Sequence, residues 1–272
     1  MAPVKFDDIS KTANEVLSDD FQTSGFQFKA KQKTSWDKAV VTTAVDLFPA
    51  KDSCMTPAKL TWKLPSPLGI AGISIDKLEM DKAGKFKLEA SSDKVYPALK
   101  VDMKSDLADA SKVVAGATFT GIKDTFIKLE TKPMKPLDLT CELTRAVGPA
   151  TLGVKCRGPK LDCPDFGVCI LSGKFFCSLY AKDTLKSLTG HCFYKATNEL
   201  KCAATCDNGG KYSLGIAYDV MKGTKLKVKV QHDQSLSCSV KHELTKGFTM
   251  LAGGKYDSKK KDYTVGLQVS IE

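Results

Sequence analysis

The feature that most constrains this sequence is a strict alternation of apolar and polar residues in short segments, starting after one brief helical stretch and running to the end. In the final segment Val265, Leu267, Val269 and Ile271 share one face, and Thr264, Gly266, Gln268 and Ser270 share the other. The same period sets Phe86, Leu88 and Ala90 against Lys85, Lys87 and Glu89, and Leu226, Val228 and Val230 against Lys225, Lys227 and Lys229. It also sets Leu137, Leu139, Cys141 and Leu143 against Asp138, Thr140, Glu142 and Thr144. A period of two puts successive side chains on opposite faces of a strand. About 19 such segments fit between 26-34 and 262-271, many bounded by turn residues such as Asn208-Gly209-Gly210 and Lys222-Gly223. Alternation is weakest within 157-206, where Phe175 and Phe176 are adjacent. With almost no helix to cover them, the apolar faces need another partner. A barrel closed in a bilayer supplies one, with lipid outside and water inside.

Nothing in the composition opposes this all-β transmembrane barrel. No run of about 18 apolar residues occurs, which excludes a helical membrane span and leaves a barrel untouched. No Pro-, Gly- or Ser-rich linker divides the 272 residues. The expected organisation is a pore helix in 1-24 and a β-barrel in 25-272. The start, with Phe6-Asp7-Asp8, is acidic and lacks an apolar core, so it reads as neither a secretory signal nor a cleaved transit peptide.

Net charge is +10, from 41 Lys+Arg against 31 Asp+Glu, and the basic residues are mostly lysine. Nucleic-acid binding would gather them on one element, whereas here they are dispersed strand by strand, so no nucleic-acid partner is expected. If the polar faces share one interior, Lys29, Lys31, Lys63, Lys85, Lys87, Lys100, Lys227 and Lys229 line a pore whose summed potential favours anions. The rival reading makes those faces the wetted exterior of a soluble β-sheet protein that binds lipid or another ligand.

Eight of the ten cysteines fall between Cys141 and Cys206, without a CxxC pair, so no metal site is expected. Cys141, Cys156 and Cys177 occupy apolar slots, where a thiol acts as a small hydrophobe. His191, His232 and His242 are mutually distant and belong to no catalytic motif. Neither an enzyme nor a cofactor is implied.

Residues 6-21 read as one amphipathic helix, with Phe6, Ile9, Ala13, Val16 and Leu17 on the apolar stripe and Asp7, Asp8, Lys11, Asn14 and Glu15 opposite. An acidic polar face is poorly attracted to anionic lipid, so the expected place of this helix is the pore wall, held there by Phe6, Ile9, Val16 and Leu17.

These residues carry a resemblance. The segment from Phe6 to Phe21 looks like the opening of the mitochondrial voltage-dependent anion channels, the eukaryotic porins, with an aromatic residue, an acidic residue, the Ser10-Lys11 pair and an amphipathic helix. Tyr96-Pro97-Ala98-Leu99-Lys100 resembles a strand opening of that family, with Ala98 replacing a glycine. The stretch from Tyr218 through Lys227-Val228-Lys229-Val230 to Lys246-Gly247-Phe248 follows its C-terminal signature region, and Gly254 to Lys259 with Val265-Gly266-Leu267 is similar to plant-type members. Met221, Lys222, Gln231 and His232 depart from that signature, and Asn14 and Asp19 stand where animal members are often basic.

The resemblance implies a 19-stranded barrel in the mitochondrial outer membrane with the helix inside the pore, and an odd strand number requires the first and last strands to pair in parallel. Phe26, Phe28 and Ala30 would then flank the seam together with Val265, Leu267, Val269 and Ile271. It further implies a voltage-gated, weakly anion-selective channel for ATP, ADP, phosphate and organic acids, in which Asp8 and Lys11 match the family's helix acid and lysine. The partners it implies are membrane lipid, nucleotides and small anions as permeants, and further copies or other outer-membrane proteins. The same barrel fold also serves protein import, in a family that usually carries a longer N-terminal extension.

Overall fold

The structure, a computed structural model, describes residues 4–34, 38–47, 58–70, 72–158, 161 and 163–272. A 3-10 turn (Phe6–Asp8) and a short helix α1 (Lys11–Leu17) precede the strands. The first are β1 (Gly25–Lys33), β2 (Val40–Asp46), β3 (Ala58–Leu64), β4 (Ile73–Asp81), β5 (Phe86–Tyr96), β6 (Leu99–Asp106), β7 (Asp109–Phe119) and β8 (Thr125–Lys132). Next come β9 (Lys135–Val147), β10 (Ala150–Arg157), β11 (Cys163–Ser172), β12 (Phe175–Lys182), β13 (Ser187–Lys195) and β14 (Leu200–Asp207). The last are β15 (Tyr212–Met221), β16 (Thr224–Gln231), β17 (Ser235–Thr245), β18 (Phe248–Asp257) and β19 (Asp262–Ile271).

Each strand pairs antiparallel with its sequence neighbours, and the 19-stranded sheet closes where β1 meets β19 in parallel. The alternation sets the seam register. Phe26 faces Leu267, Phe28 faces Val269 and Ala30 faces Ile271, while Gln27 meets Gln268 and Lys29 meets Ser270. A slip of one residue would drive three apolar side chains into the polar face, so the register is strongly specified. Polar bonds cross the seam on the other face: Lys29 Nζ donates to Gln268 Oε1 at 3.0 Å, and Lys31 Nζ lies 2.9 Å from Glu272 Oε1.

The two faces of the barrel differ in kind. Leu152, Ile170, Leu179, Leu214, Ile216, Val240 and Val265 stand exposed on the outside. A contiguous apolar surface of that extent is expected against lipid and not against water. Among the described residues no helix is long and apolar enough to cross a membrane.

The packed core lies inside the barrel, between the N-terminal segment and one side of the wall. Phe6 and Ile9 pack with Cys169, Phe176 and Tyr180, and Ala13, Val16 and Leu17 pack with Ala203 and Ala217. The single helix expected over 6-21 is shorter and comes in two pieces, for identifiable reasons. At the junction the Ser10 N–H turns away to the Tyr180 hydroxyl, 3.1 Å distant. At the far end, beyond the C-cap Ser18, the carbonyls of Glu15 and Asp19 accept Lys227 Nζ at 2.6 and 3.0 Å, and Asp20 in the left-handed conformation (φ 57°) turns the chain away.

Candidate functional site

The candidate site is the lumen together with the N-terminal segment laid along its wall. That segment runs across the strands. Phe6 lies over β10 and β11, α1 over β13 to β15, Asp20 beside β16 and β17, and Gln22 to Ser24 over β18 and β19. It covers the wall from β9 to β19 and leaves β1 to β8 open to the lumen.

Glycines make the seat. A Cβ on Gly153 would stand 2.7 Å from Ile9 Cδ1, one on Gly167 3.0 Å from the same atom, and one on Gly215 2.8 Å from Leu17 Cδ2. Farther along, a Cβ on Gly266 would meet Gln22 O at 2.7 Å and Ser24 N at 2.6 Å. At Gly266 the Cβ would strike backbone, so only glycine lets the segment lie this close there, whereas at Gly153, Gly167 and Gly215 the ends of Ile9 and Leu17 would have to move aside.

Polar clamps hold the two ends. At the start, Lys155 Nζ on β10 lies 2.9 Å from Asp7 Oδ2 and 2.7 Å from Glu142 Oε1. Thr144 Oγ1 donates to the Val4 carbonyl, and the Tyr180 hydroxyl, itself accepting from Ser10, donates to the Phe6 carbonyl at 2.9 Å. Burial would raise the Asp7 carboxyl, but the hydrogen bond and charge of Lys155 outweigh it and hold that group below its usual range. At the far end Lys227 caps the helix carbonyls, where a cation also complements the helix dipole. Asp20 lies 3.4 Å from Lys227 and 3.0 Å from Lys241. Burial raises the Asp20 carboxyl too, and these two lysines again bring it below its ordinary value.

The residues expected in the pore divide into groups. Phe6, Ile9, Val16 and Leu17 all lie buried under the segment. Asp8 and Lys11 sit on its exposed side. Strand pairing carries one phase around the wall from Lys29 and Lys31 through Thr42 and Ala44 to Lys59, Thr61 and Lys63, and on through Glu79 to Lys87 and to Lys100. Those lysines therefore share the lumen face with the segment-bearing residues of β10 to β16. Lys85 departs from the expectation. It lies in the β4–β5 turn, where Asp81 Oδ1 accepts its N–H at 2.9 Å and draws the chain out of the strand. Lys227 is inward but only 4 % exposed, and its ammonium is committed to the helix end instead of facing permeants. Lys229 is inward as well, with its ammonium 4.6 Å from the Phe21 ring centroid.

Sequence reasoning missed Lys155, Glu142, Asp7 as an anchor, and Tyr180. One signal was present. Phe175 and Phe176 interrupt the alternation because Phe175 faces outward while Phe176 packs on Phe6 inside, so an apolar residue in a polar slot marks the docking wall. Lys155 had no comparable mark, since its slot reads like that of any lumen lysine.

Lumen charges are extensively paired. Lys77 lies 2.7 Å from Glu79, Lys128 2.6 Å from Glu130, Lys100 3.6 Å from Asp76 and Arg157 3.3 Å from Asp165. Among the described residues no group of three or more metal-ligating side chains comes together.

No curated protein matches the chain. Solved bacterial barrels are similar at low identity: a triple mutant of the Rhodopseudomonas blastica porin is 8% identical with a TM-score of 0.46, over 89% of this chain and 94% of that one. A structure titled for asymmetric conductivity of engineered proteins is 7% identical with a TM-score of 0.46, over 89% of this chain and 95% of the other. The assignment rests instead on the family profile described as eukaryotic porin, which matches residues 2–266. An inward polar wall, an outward apolar band, parallel closure of β1 on β19 and a match over nearly the whole length agree: the chain belongs to the eukaryotic porin family, pore-forming outer-membrane barrels that pass small solutes and are not enzymes.

Proposed function

We propose that this porin is a voltage-gated, weakly anion-selective channel of the mitochondrial outer membrane that passes small ions and metabolites such as ATP, ADP, phosphate and organic acids. The observation that carries the reading is the open wall opposite the N-terminal segment, where Lys29, Lys31, Lys33, Lys59 and Lys63 share the lumen phase of β1 and β3, strands that carry no acid of their own, although Lys31 meets Glu272 at 2.9 Å and Lys59 meets Glu79 at 3.8 Å. Summed positive potential in a water-filled passage lowers the energy of an anion without stripping its hydration. Pairing elsewhere on the wall keeps the preference weak, because a neutralised pair contributes little beyond the ~8 Å screening length at physiological salt. Asp7, Asp8, Glu15, Asp19 and Asp20 on the N-terminal segment weaken it further.

The N-terminal segment is the proposed voltage-responsive element, since it carries charge and lies against the wall without spanning the membrane. Lipid is the partner of the outer face, nucleotides and small anions are the permeants, and further copies or other outer-membrane proteins would associate through the same outer face. Planar-bilayer conductance under a salt gradient tests pore and selectivity together. A reversal potential of modest anion preference is expected, and a cation-preferring value would overturn the reading. Removing residues 1-20 should keep conductance and weaken voltage-dependent closure; unchanged closure would take the segment out of the gating mechanism.

A further inference from the structure

The cysteines are the group of reactive side chains that neither the pore nor its helix uses. Cys177 on β12 and Cys192 on β13 are direct cross-strand partners, and their Sγ atoms lie 3.1 Å apart. Facing residues of an antiparallel pair have Cα atoms about 4.5–5.5 Å apart, within the span of roughly 4.4–6.8 Å that a disulfide bridges. The sulfurs have about 1 Å left to close before they reach bonding distance.

Their position selects the oxidant. Both occupy the outward phase, because the intervening Phe176 and Phe193 point into the barrel against the N-terminal segment. The next outward pair towards the barrel mouth is Phe175 with Tyr194, ring centroids 6.4 Å apart, beside the turn at Gly173 and Lys174. Such aromatic pairs mark the headgroup level of a barrel wall. The two thiols therefore sit about 5 Å deeper, two residues along a strand tilted by about 40°. The polar –OOH group of an oxidised acyl chain rises to the same depth, since leaving it unpaired in hydrocarbon is costly. Next to the thiols an apolar groove of about 350 Å³, lined by Cys192, Ala204, Leu214, Ile216 and Val228, is continuous with the lipid-facing wall and offers an acyl chain a seat.

We propose that Cys177 and Cys192 form a lipid-facing dithiol that reduces acyl-chain hydroperoxides and closes to a disulfide between β12 and β13. The exposed Cys192 sulfur attacks the distal peroxide oxygen. The O–O bond breaks, the lipid alcohol leaves with the thiol proton, and a sulfenic acid remains on Cys192. Cys177 sulfur then displaces the hydroxyl, the S–S bond forms, and water leaves with the second proton. Two thiols and one hydroperoxide give one disulfide, one alcohol and one water, so two electrons pass from sulfur to oxygen.

The test uses the full chain in phosphatidylcholine liposomes, with and without a few mole per cent of phosphatidylcholine hydroperoxide, and a third arm with the same amount of aqueous hydrogen peroxide. Non-reducing peptide mapping should find Cys177 linked to Cys192 in the hydroperoxide arm, with one lipid alcohol formed per disulfide and at least several-fold faster than in the aqueous arm. Cys192→Ala should abolish both the linkage and the alcohol, whereas Cys177→Ala should abolish the linkage and leave one alcohol per sulfenic acid trapped on Cys192. Free thiols with intact hydroperoxide, a bridge confined to other cysteines such as Cys141 and Cys156, or equal rates in the two oxidant arms would each overturn the proposal. The wild-type mapping decides it even if a variant fails to fold.

Discussion

Lysines in equivalent slots of the alternation do different work according to what lies above them. Lys63 and Lys87 look into the open lumen, whereas Lys155 and Lys227 are 8 % and 4 % exposed beneath the N-terminal segment. Lys155→Met would strand the buried Glu142 and release Asp7, and breaking a buried pair from one side costs on the order of 3 kcal/mol. The expected result is an N-terminus cut by added protease much faster than in wild type or in Lys63→Met; equal cleavage in all three would dismiss Lys155 as an anchor. Asp20 adds a pH dependence whose sign follows from its lowered carboxyl. Its attachment to Lys227 and Lys241 is complete above the ordinary aspartate value and is lost as pH falls through the lowered one. Acidification from pH 7 to 5 should leave this clamp closed, with release only below about pH 4. A fluorophore near residue 20 reads this directly, and release already at pH 5 would contradict the assignment.

At the scale of elements, the N-terminal segment and the wall were shaped together. The segment lacks the length for a stable free helix, since a seven-residue helix is marginal in water and needs tertiary packing. Its seat depends on small residues at Gly153, Gly167, Ala203, Gly215 and Ala217. Gly153→Val should therefore displace Ile9 and Phe6 while leaving the barrel intact, because the new side chain points into the lumen and not at lipid. Weakened voltage-dependent closure at unchanged folding yield is the expected outcome, and wild-type closure would show that the seat does not matter for gating. The last strand tests the two-faced wall. Leu267→Lys puts a charge against lipid at about 2–4 kcal/mol near the midplane, whereas Gln268→Lys stays in water and loses the bond from Lys29 and the one donated to Ser270. Folding into liposomes should fall for the first and persist for the second. Equal yields would mean that this strand does not face a bilayer.

For the molecule as a whole, selectivity is a sum over many screened charges, so no single lysine should dominate. Replacing Lys11, Lys29, Lys63 and Lys100 by Glu one after another should move the reversal potential towards cations in graded steps. The change at Lys100 also removes the lysine partner of Asp76, which keeps its bonds from Ser74 and Ser91. One abrupt step accounting for the whole shift would point to a local filter instead of a distributed potential.

What the sequence determined by itself was the wall: a count of about 19 strands, their order and the outward apolar phase, with the parallel seam following from the odd number that the family resemblance implied. Those features are local or follow from counting. A period of two is written into each strand, short turns force neighbours to pair antiparallel, and closure of an odd number leaves one parallel pair. The docking face left a faint trace at Phe176, one apolar residue in a slot that should be polar. Only the tertiary structure decided which lysines remain free to meet a permeant. The N-terminal segment crosses strands far apart in sequence, bringing Lys155 to Asp7 and Lys227 to the helix end, and it does so in a phase that reads the same along every strand. Helix length was decided partly in the same way, because Tyr180 and Lys227 on the wall take up backbone groups at its two ends.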